Sequence, residues 1–189
     1  MLEDEYFRSN YDIRSMLSVL FNSDFFKNAR FAKVKSPAEV VAGTLRQVGD
    51  FTSPKLGLFP ISREIMYMGQ DLMNPPTVEG WHSGREWINS GTLVERINFT
   101  AAQVGNTEMP GVVAIIDRLA SEGPTISPQR LVDGCSEMLG AYELAEETRS
   151  LLIADAEQGS PLSTGTEEFG QRVGEMLQMI VATQEFQFA

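Results

Sequence analysis

Apolar residues recur at helical spacing along nearly the whole chain, and no stretch alternates in the manner of a half-buried strand. That pattern restricts the fold to stacked helices, because an amphipathic helix must bury its stripe against another element. Ile13, Met16, Leu17, Leu20 and Phe21 share one face, with Asn10 as the expected cap. Ser36-Pro37-Ala38-Glu39 is a start signal: serine caps, proline suits the first turn, and glutamate can reach back to close the box. Val40, Val41, Leu45 and Val48 then line the buried side up to Gly49, a natural stop.

Residues 50–60 read as loop, with Pro54, Gly57 and Pro60. A helix is expected from about Ser62, carrying Ile65, Met66, Met68 and Leu72 and ended by Asn74-Pro75-Pro76. After an aperiodic stretch from Thr77 to Asn89, Ser90 is the expected cap of a helix bearing Leu93, Ile97 and Ala101. Four more helical patterns follow. The first carries Val112, Val113, Ile116 and Leu119, after Thr107 and Pro110. The second opens at Ser127-Pro128 with Leu131, Cys135, Met138 and Leu139. The third carries Leu144, Leu151 and Leu152. Beyond the breakers Gly159, Pro161 and Gly165, the last carries Phe169, Val173, Met176, Leu177, Ile180 and Val181. Gly170 and Gly174, four apart, fit either a close helix approach or tolerated surface glycines. The expected fold is all-α, an irregular multi-helix bundle with a long Pro/Gly/Trp loop, in a single domain over residues 1–189.

Fifteen basic against 26 acidic residues give a net charge of −11. A surface this acidic repels phosphate backbones and anionic membranes, so nucleic acid is not an expected partner. No run is long and apolar enough to span a bilayer, and the acidic start MLEDEYFRSNYD is the opposite of a secretory signal. The single cysteine, Cys135, can form no internal disulfide and sits among apolar neighbours, which predicts a buried thiol.

Residues 68–99 hold a proline pair, both tryptophans, the only histidine and four glycines. Met68-Gly69-Gln70, Asn74-Pro75-Pro76, Val78-x-Gly80-Trp81, Gly84-x-x-Trp87-Ile88, Thr92-Leu93 and Arg96-x-Asn98-Phe99 resemble the bacterial domain-of-unknown-function family numbered 1800. Ser23-Asp24-Phe25-Phe26, Val34-Lys35-Ser36-Pro37-x-Glu39, Thr44-Leu45-Arg46 and the ending Glu185-Phe186-Gln187 extend the resemblance over roughly residues 10–189. Members of that family are usually more than twice this long, which implies that this chain matches their C-terminal half. They are often exported and often encoded beside a sulfatase-like family. The resemblance therefore implies a cell-envelope or extracellular setting, and it brings no established activity.

Two roles are open for the long motif. Trp81 and Trp87 can staple the loop to the core, with Gly69, Gln70, Pro75, Pro76, Gly80 and Gly84 setting the backbone path. Alternatively they form a stacking platform for a saccharide or aromatic ligand, edged by His82, Arg85 and Glu86. A metal at His82 would need Glu79 and Glu86, and no helical His-x-x-x-His spacing supports one, so neither metal nor cofactor is expected. Ser83 and Ser90 lie near His82 without a Gly-x-Ser-x-Gly elbow, and no glycine-rich phosphate loop occurs. Arg46 and Arg96, each between apolar helix positions, either hold the loop through its carbonyls or snorkel at the surface. Asn98-Phe99-Thr100 is a formal glycosylation sequon in an expected helix, together with Asn98 as a motif residue. Two functions follow as expectations. One is a helical structural or protein-interaction module that presents apolar surface to a protein partner or to an N-terminal half. The other is a ligand-binding or hydrolytic site at the Trp81–Trp87 loop.

Overall fold

Side-chain caps set most of the helix boundaries. The Ser36 hydroxyl accepts the Glu39 N–H at 3.3 Å, and the Glu39 carboxylate accepts the Ser36 N–H at 2.7 Å. This box opens α4 (Pro37–Val48), which ends at Gly49 with φ +74°. A computed structural model describes residues 1–49, 51, 53, 58–140, 143–158 and 162–188. The expected breakers Pro54, Gly57, Gly159 and Pro161 lie outside the described residues.

Among the described residues the fold is all-α. Three short helices, α1 (Leu2–Arg8), α2 (Ile13–Asn22) and α3 (Asp24–Lys27), precede α4. Then come α5 (Leu58–Tyr67), a 3₁₀ turn (Gly84–Trp87), α6 (Ser90–Val104), α7 (Pro110–Ala120), α8 (Pro128–Leu139), α9 (Glu146–Ala156) and α10 (Glu167–Val181). A second 3₁₀ turn, Glu185–Gln187, follows. Isolated bridges pair Val34 with Phe188, Thr77 with Gly80 and Thr125 with Ser163.

Several expected boundaries move, each for a local reason. Asp12, not Asn10, caps α2: Asn10 and Tyr11 turn through positive φ, and the Asp12 carboxylate takes the Arg14 N–H at 3.0 Å. The helix α5 starts at Leu58 rather than Ser62, because Pro60 is tolerated in a first turn where no N–H is required. It ends at Tyr67, well before Asn74-Pro75-Pro76. Gly69 (φ +99°) donates to the Met66 carbonyl at 2.9 Å and Gln70 to the Ile65 carbonyl at 3.0 Å, a Schellman ending. Asn89, not Ser90, caps α6, accepting the Gly91 and Thr92 N–H groups at 3.0 Å each. The buried side of α6 is Arg96, Phe99, Thr100 and Val104, with Leu93, Ile97 and Ala101 only partly covered.

The expected stripe of α10 is wholly buried. This helix is the centre of the main core, packed by α6, α7, α8 and α9, with Leu131, Val132 and Leu119 fully covered. Side chains of that size stabilise by about 1.5–3 kcal/mol each when buried. A smaller cluster joins α4, α5 and α6 through Val40, Val41, Leu45, Ile65, Met68 and Phe99. The apolar stripe of the last helix is therefore covered. At the other end of the chain none of the ten residues of α2 is buried. Ile13 is 58% exposed, Leu17 43% and Phe21 51%, while Met16 and Leu20 are half-buried. α1 packs on α2 and α2 on α3. The Glu5 carboxylate, taking hydrogen bonds from Ser15 and Arg8, ties the first two together and is held below its usual carboxylate range by those two donors.

Of the two glycines on α10, Gly174 marks a close approach, while a Cβ on Gly170 would meet only Ile116 Cδ1 at 3.6 Å, an ordinary contact. A Cβ on Gly174 would stand 3.2 Å from Thr107 Cγ2 and 3.4 Å from the Gly105 carbonyl oxygen. Tighter still is Gly111, where a Cβ would run into the Gln47 carbonyl oxygen and hold α7 off α4. Gly111→Ala should destabilise by at least ~2 kcal/mol. Gly43→Ala, with nothing within 4 Å of the added Cβ, should instead stabilise by up to ~1 kcal/mol through helix propensity. Urea unfolding of the two variants beside the parent checks both signs.

Candidate functional site

The long motif is fastened at its two ends and open in between. At its start, the Gln70 side-chain oxygen accepts the Ala38 N–H at 2.9 Å and so caps α4 from across the fold. Gly69 makes the turn that aims it there. At its end, the Thr92 hydroxyl donates to the Trp87 carbonyl at 2.9 Å. Trp87 is 6% exposed, so its indole is architecture. Between these anchors Pro75 and Pro76 are exposed, Met73 is 93% exposed, and Gly80 and Gly84 have positive φ in open space. The Thr77–Gly80 bridge closes the tip.

Trp81 behaves differently from its partner. It is 37% exposed, and its indole N–H donates to the Asp71 carbonyl at 2.9 Å. One indole therefore presents surface and the other does not. His82 and Glu86 face each other across the 3₁₀ turn, Nδ1 to Oε2 at 3.5 Å, both exposed. Glu86 also accepts the Ser83 N–H at 3.4 Å. Among the described residues no group of three or more His, Cys, Asp or Glu is placed to hold a metal ion.

Arg96 and Arg46 part company as well. Arg46 is exposed on α4. Arg96 is fully buried, and its Nη1 donates to the Lys35 carbonyl at 2.8 Å. It thus fastens the strand-like segment before α4, not the Trp loop as its position beside the motif suggested. Its Nε and Nη2 have no protein partner among the described residues. Burial without a carboxylate pushes the guanidinium below its ordinary value. Around it a clasp closes. The Lys35 N–H donates to the Gln187 carbonyl at 3.0 Å, and the Lys35 ammonium donates to the Phe186 carbonyl at 2.6 Å and lies over the Phe186 ring at 4.3 Å. Burial lowers the Lys35 ammonium below the usual lysine range, with Glu39 pulling part of the way back. Asn98 is exposed on α6, while Phe99 and Thr100 of the formal sequon are buried and the Thr100 hydroxyl donates to the Arg96 carbonyl at 2.8 Å.

The clasp brings the C-terminal segment against the motif. Arg85 of the 3₁₀ turn, Ile88 just after it, Leu93 near the start of α6, and Ala182, Thr183, Gln184, Gln187 and Phe188 share a cavity of about 510 Å³. Trp81, His82, Glu86 and Trp87 do not line it. Ala182, Thr183 and Phe188 are residues that sequence reading missed. Their only advance signal was the adjoining Glu185-Phe186-Gln187 segment.

With that geometry in place, the sequence comparison is decisive at the level of family. The profile described as protein of unknown function, DUF1800, matches residues 1–188. The chain belongs to the DUF1800 family. No curated protein and no solved structure matches it. In this DUF1800 protein no described helix is long and apolar enough to cross a membrane. Its lone thiol, Cys135, is fully covered, and burial pushes it up to about 12.

The two tryptophans should separate in stability. Trp87→Ala should cost about 3–5 kcal/mol as a buried aromatic truncation. Trp81→Ala should cost about 1–2 kcal/mol, since part of its surface is already wet. Arg96→Met, which removes two unpaired donors while keeping volume, should cost less than Arg96→Ala, at about 3 kcal/mol or more. Chemical denaturation of the four variants orders them.

Proposed function

We propose that this protein works by association, as a single helical unit that presents the α1–α3 arm to a partner. The observation that carries this reading is the uncovered face of α2. Ile13, Leu17 and Phe21 stand at 58%, 43% and 51% exposure, with Phe25 beyond them at 76%. Tyr11, at 56%, and Phe7, at 62%, extend the same apolar arm. A contiguous apolar surface rimmed by polar residues is the usual mark of a contact site. The chemistry calls for another apolar helical surface. It is supplied either by a separate protein or by an N-terminal helical half of the kind that the family resemblance implies. The net charge of −11 sets the rest of the surface against nucleic acid.

The Leu17→Glu, Phe21→Glu double variant tests the reading, because neither residue belongs to the core. It should melt within about 2 °C of the parent, as expected for substitutions away from buried features. It should also bind less of a hydrophobic dye than the parent. A parent that takes up no more dye than the double variant would exclude the arm as a contact surface.

A second reading rests on Trp81, whose indole N–H is tied to Asp71 so that a ring surface stays open beside His82 and Glu86. A saccharide stacking there would quench and shift tryptophan fluorescence in the parent and not in Trp81→Leu. An identical titration in both proteins would remove it.

A further inference from the structure

The cavity between the Trp loop and the C-terminal segment differs in electrostatics from the rest of this acidic protein. Its rim carries Arg85, an exposed guanidinium for which no ion pair within 4.0 Å occurs among the described residues. A second cation is linked to its wall. Arg96 follows Leu93 by three residues on α6, one turn along the same side of the helix. Its Nη1 donates to the carbonyl of Lys35, whose N–H donates to the carbonyl of the cavity residue Gln187. Arg96 does not line the cavity; it is fully buried and has no carboxylate partner among the described residues. A buried, unneutralised cation projects its field through low-dielectric surroundings far more strongly than a surface charge does.

The nearby carboxylates Glu86 and Glu185 do not line the cavity. Glu86 lies 3.5 Å from His82 Nδ1 and accepts the Ser83 N–H. Glu185 accepts the Ala145 N–H at 3.0 Å and the Thr148 hydroxyl at 2.8 Å, toward the adjoining cavity lined by Phe31 and Glu147. The remaining walls are Ile88, Leu93, Ala182 and Phe188, with the uncharged polar residues Thr183, Gln184 and Gln187. A pocket with four apolar walls, a guanidinium at its rim and no carboxylate in its lining suits an anion with an apolar body.

We propose that this cavity binds a small organic carboxylate, with Arg85 holding the carboxylate and Ile88, Leu93, Ala182 and Phe188 covering its hydrocarbon part. At about 510 Å³ the chamber admits a chain of several carbons. The inference is independent of association through the α1–α3 arm, which lies in a different part of the sequence and shares none of these residues.

Isothermal titration with hexanoate, 1-hexanol and hexylammonium chloride tests it, since the three probes share a body and differ in head group. Hexanoate should bind saturably at about millimolar or tighter, a range that leaves room for tenfold changes to be read. Hexanol should bind at least tenfold more weakly, and hexylammonium should give no saturable heat. Arg85→Gln should weaken hexanoate tenfold or more and leave hexanol unchanged. Ala182→Leu, at an exposed position on the rim, should weaken both by filling the mouth. Both substitutions lie at exposed residues, so melts matching the parent establish that the fold is intact. The proposal is overturned if hexanoate does not bind, if hexanol binds as well as hexanoate, if hexylammonium is preferred, or if Arg85→Gln binds hexanoate like the parent.

Discussion

The distance between helix backbones is the constraint from which the remaining geometry descends. At Gly111 the α7 backbone meets the carbonyl of Gln47 on α4 with no space for a methyl group. At Gly174 the α10 backbone comes within a side chain's width of Gly105 at the end of α6. These contacts hold α4 against α7 and α6 against α10, so that the stripe from Phe169 to Val181 can be buried along one helix. Interiors at this density transmit displacement rather than absorb it. A helix held off by one methyl would carry its far end with it, and the far ends of α6 and α10 are where the motif and the C-terminal segment meet.

That meeting depends on a polar clasp inside an otherwise apolar fold. Arg96 takes the carbonyl of Lys35, Lys35 takes the carbonyls of Gln187 and Phe186, and Val34 bridges to Phe188. One guanidinium thus fixes a segment far upstream and, through it, the end of the chain. Burying a charge with a single carbonyl partner is unfavourable taken alone. The arrangement favours position over stability, since Arg96 on the buried side of α6 fixes the Lys35 backbone and, through it, the C-terminal segment.

Much of the helical plan was legible because its signals are local. The Ser36–Glu39 box, the Gly49 stop, the Ser127 cap of α8 and the full stripe of α10 needed only nearest neighbours. Where the reading moved, nearby competition decided: Asp12 out-competed Asn10, Asn89 out-competed Ser90, and Gly69 ended α5 before the prolines could. The site was less legible. Two tryptophans six residues apart look alike in sequence, yet one is buried behind the Thr92 hydroxyl and the other lies half in water. Periodicity likewise reports that α2 has an apolar face but not whether anything covers it. The carbonyl that Arg96 selects lies 61 residues away, and no spacing rule reaches so far.

Cys135 sits at the centre of α8 with no exposed surface, its thiol held almost wholly protonated at neutral pH. Thiolate chemistry is thereby closed to it, and no covalent crosslink contributes to the fold. Oxidant or reductant in the surroundings has nothing to act on at this residue while the native state persists. Chemical labelling of this thiol therefore requires the α8 packing to open, and its rate reports that opening rather than the redox state of the surroundings.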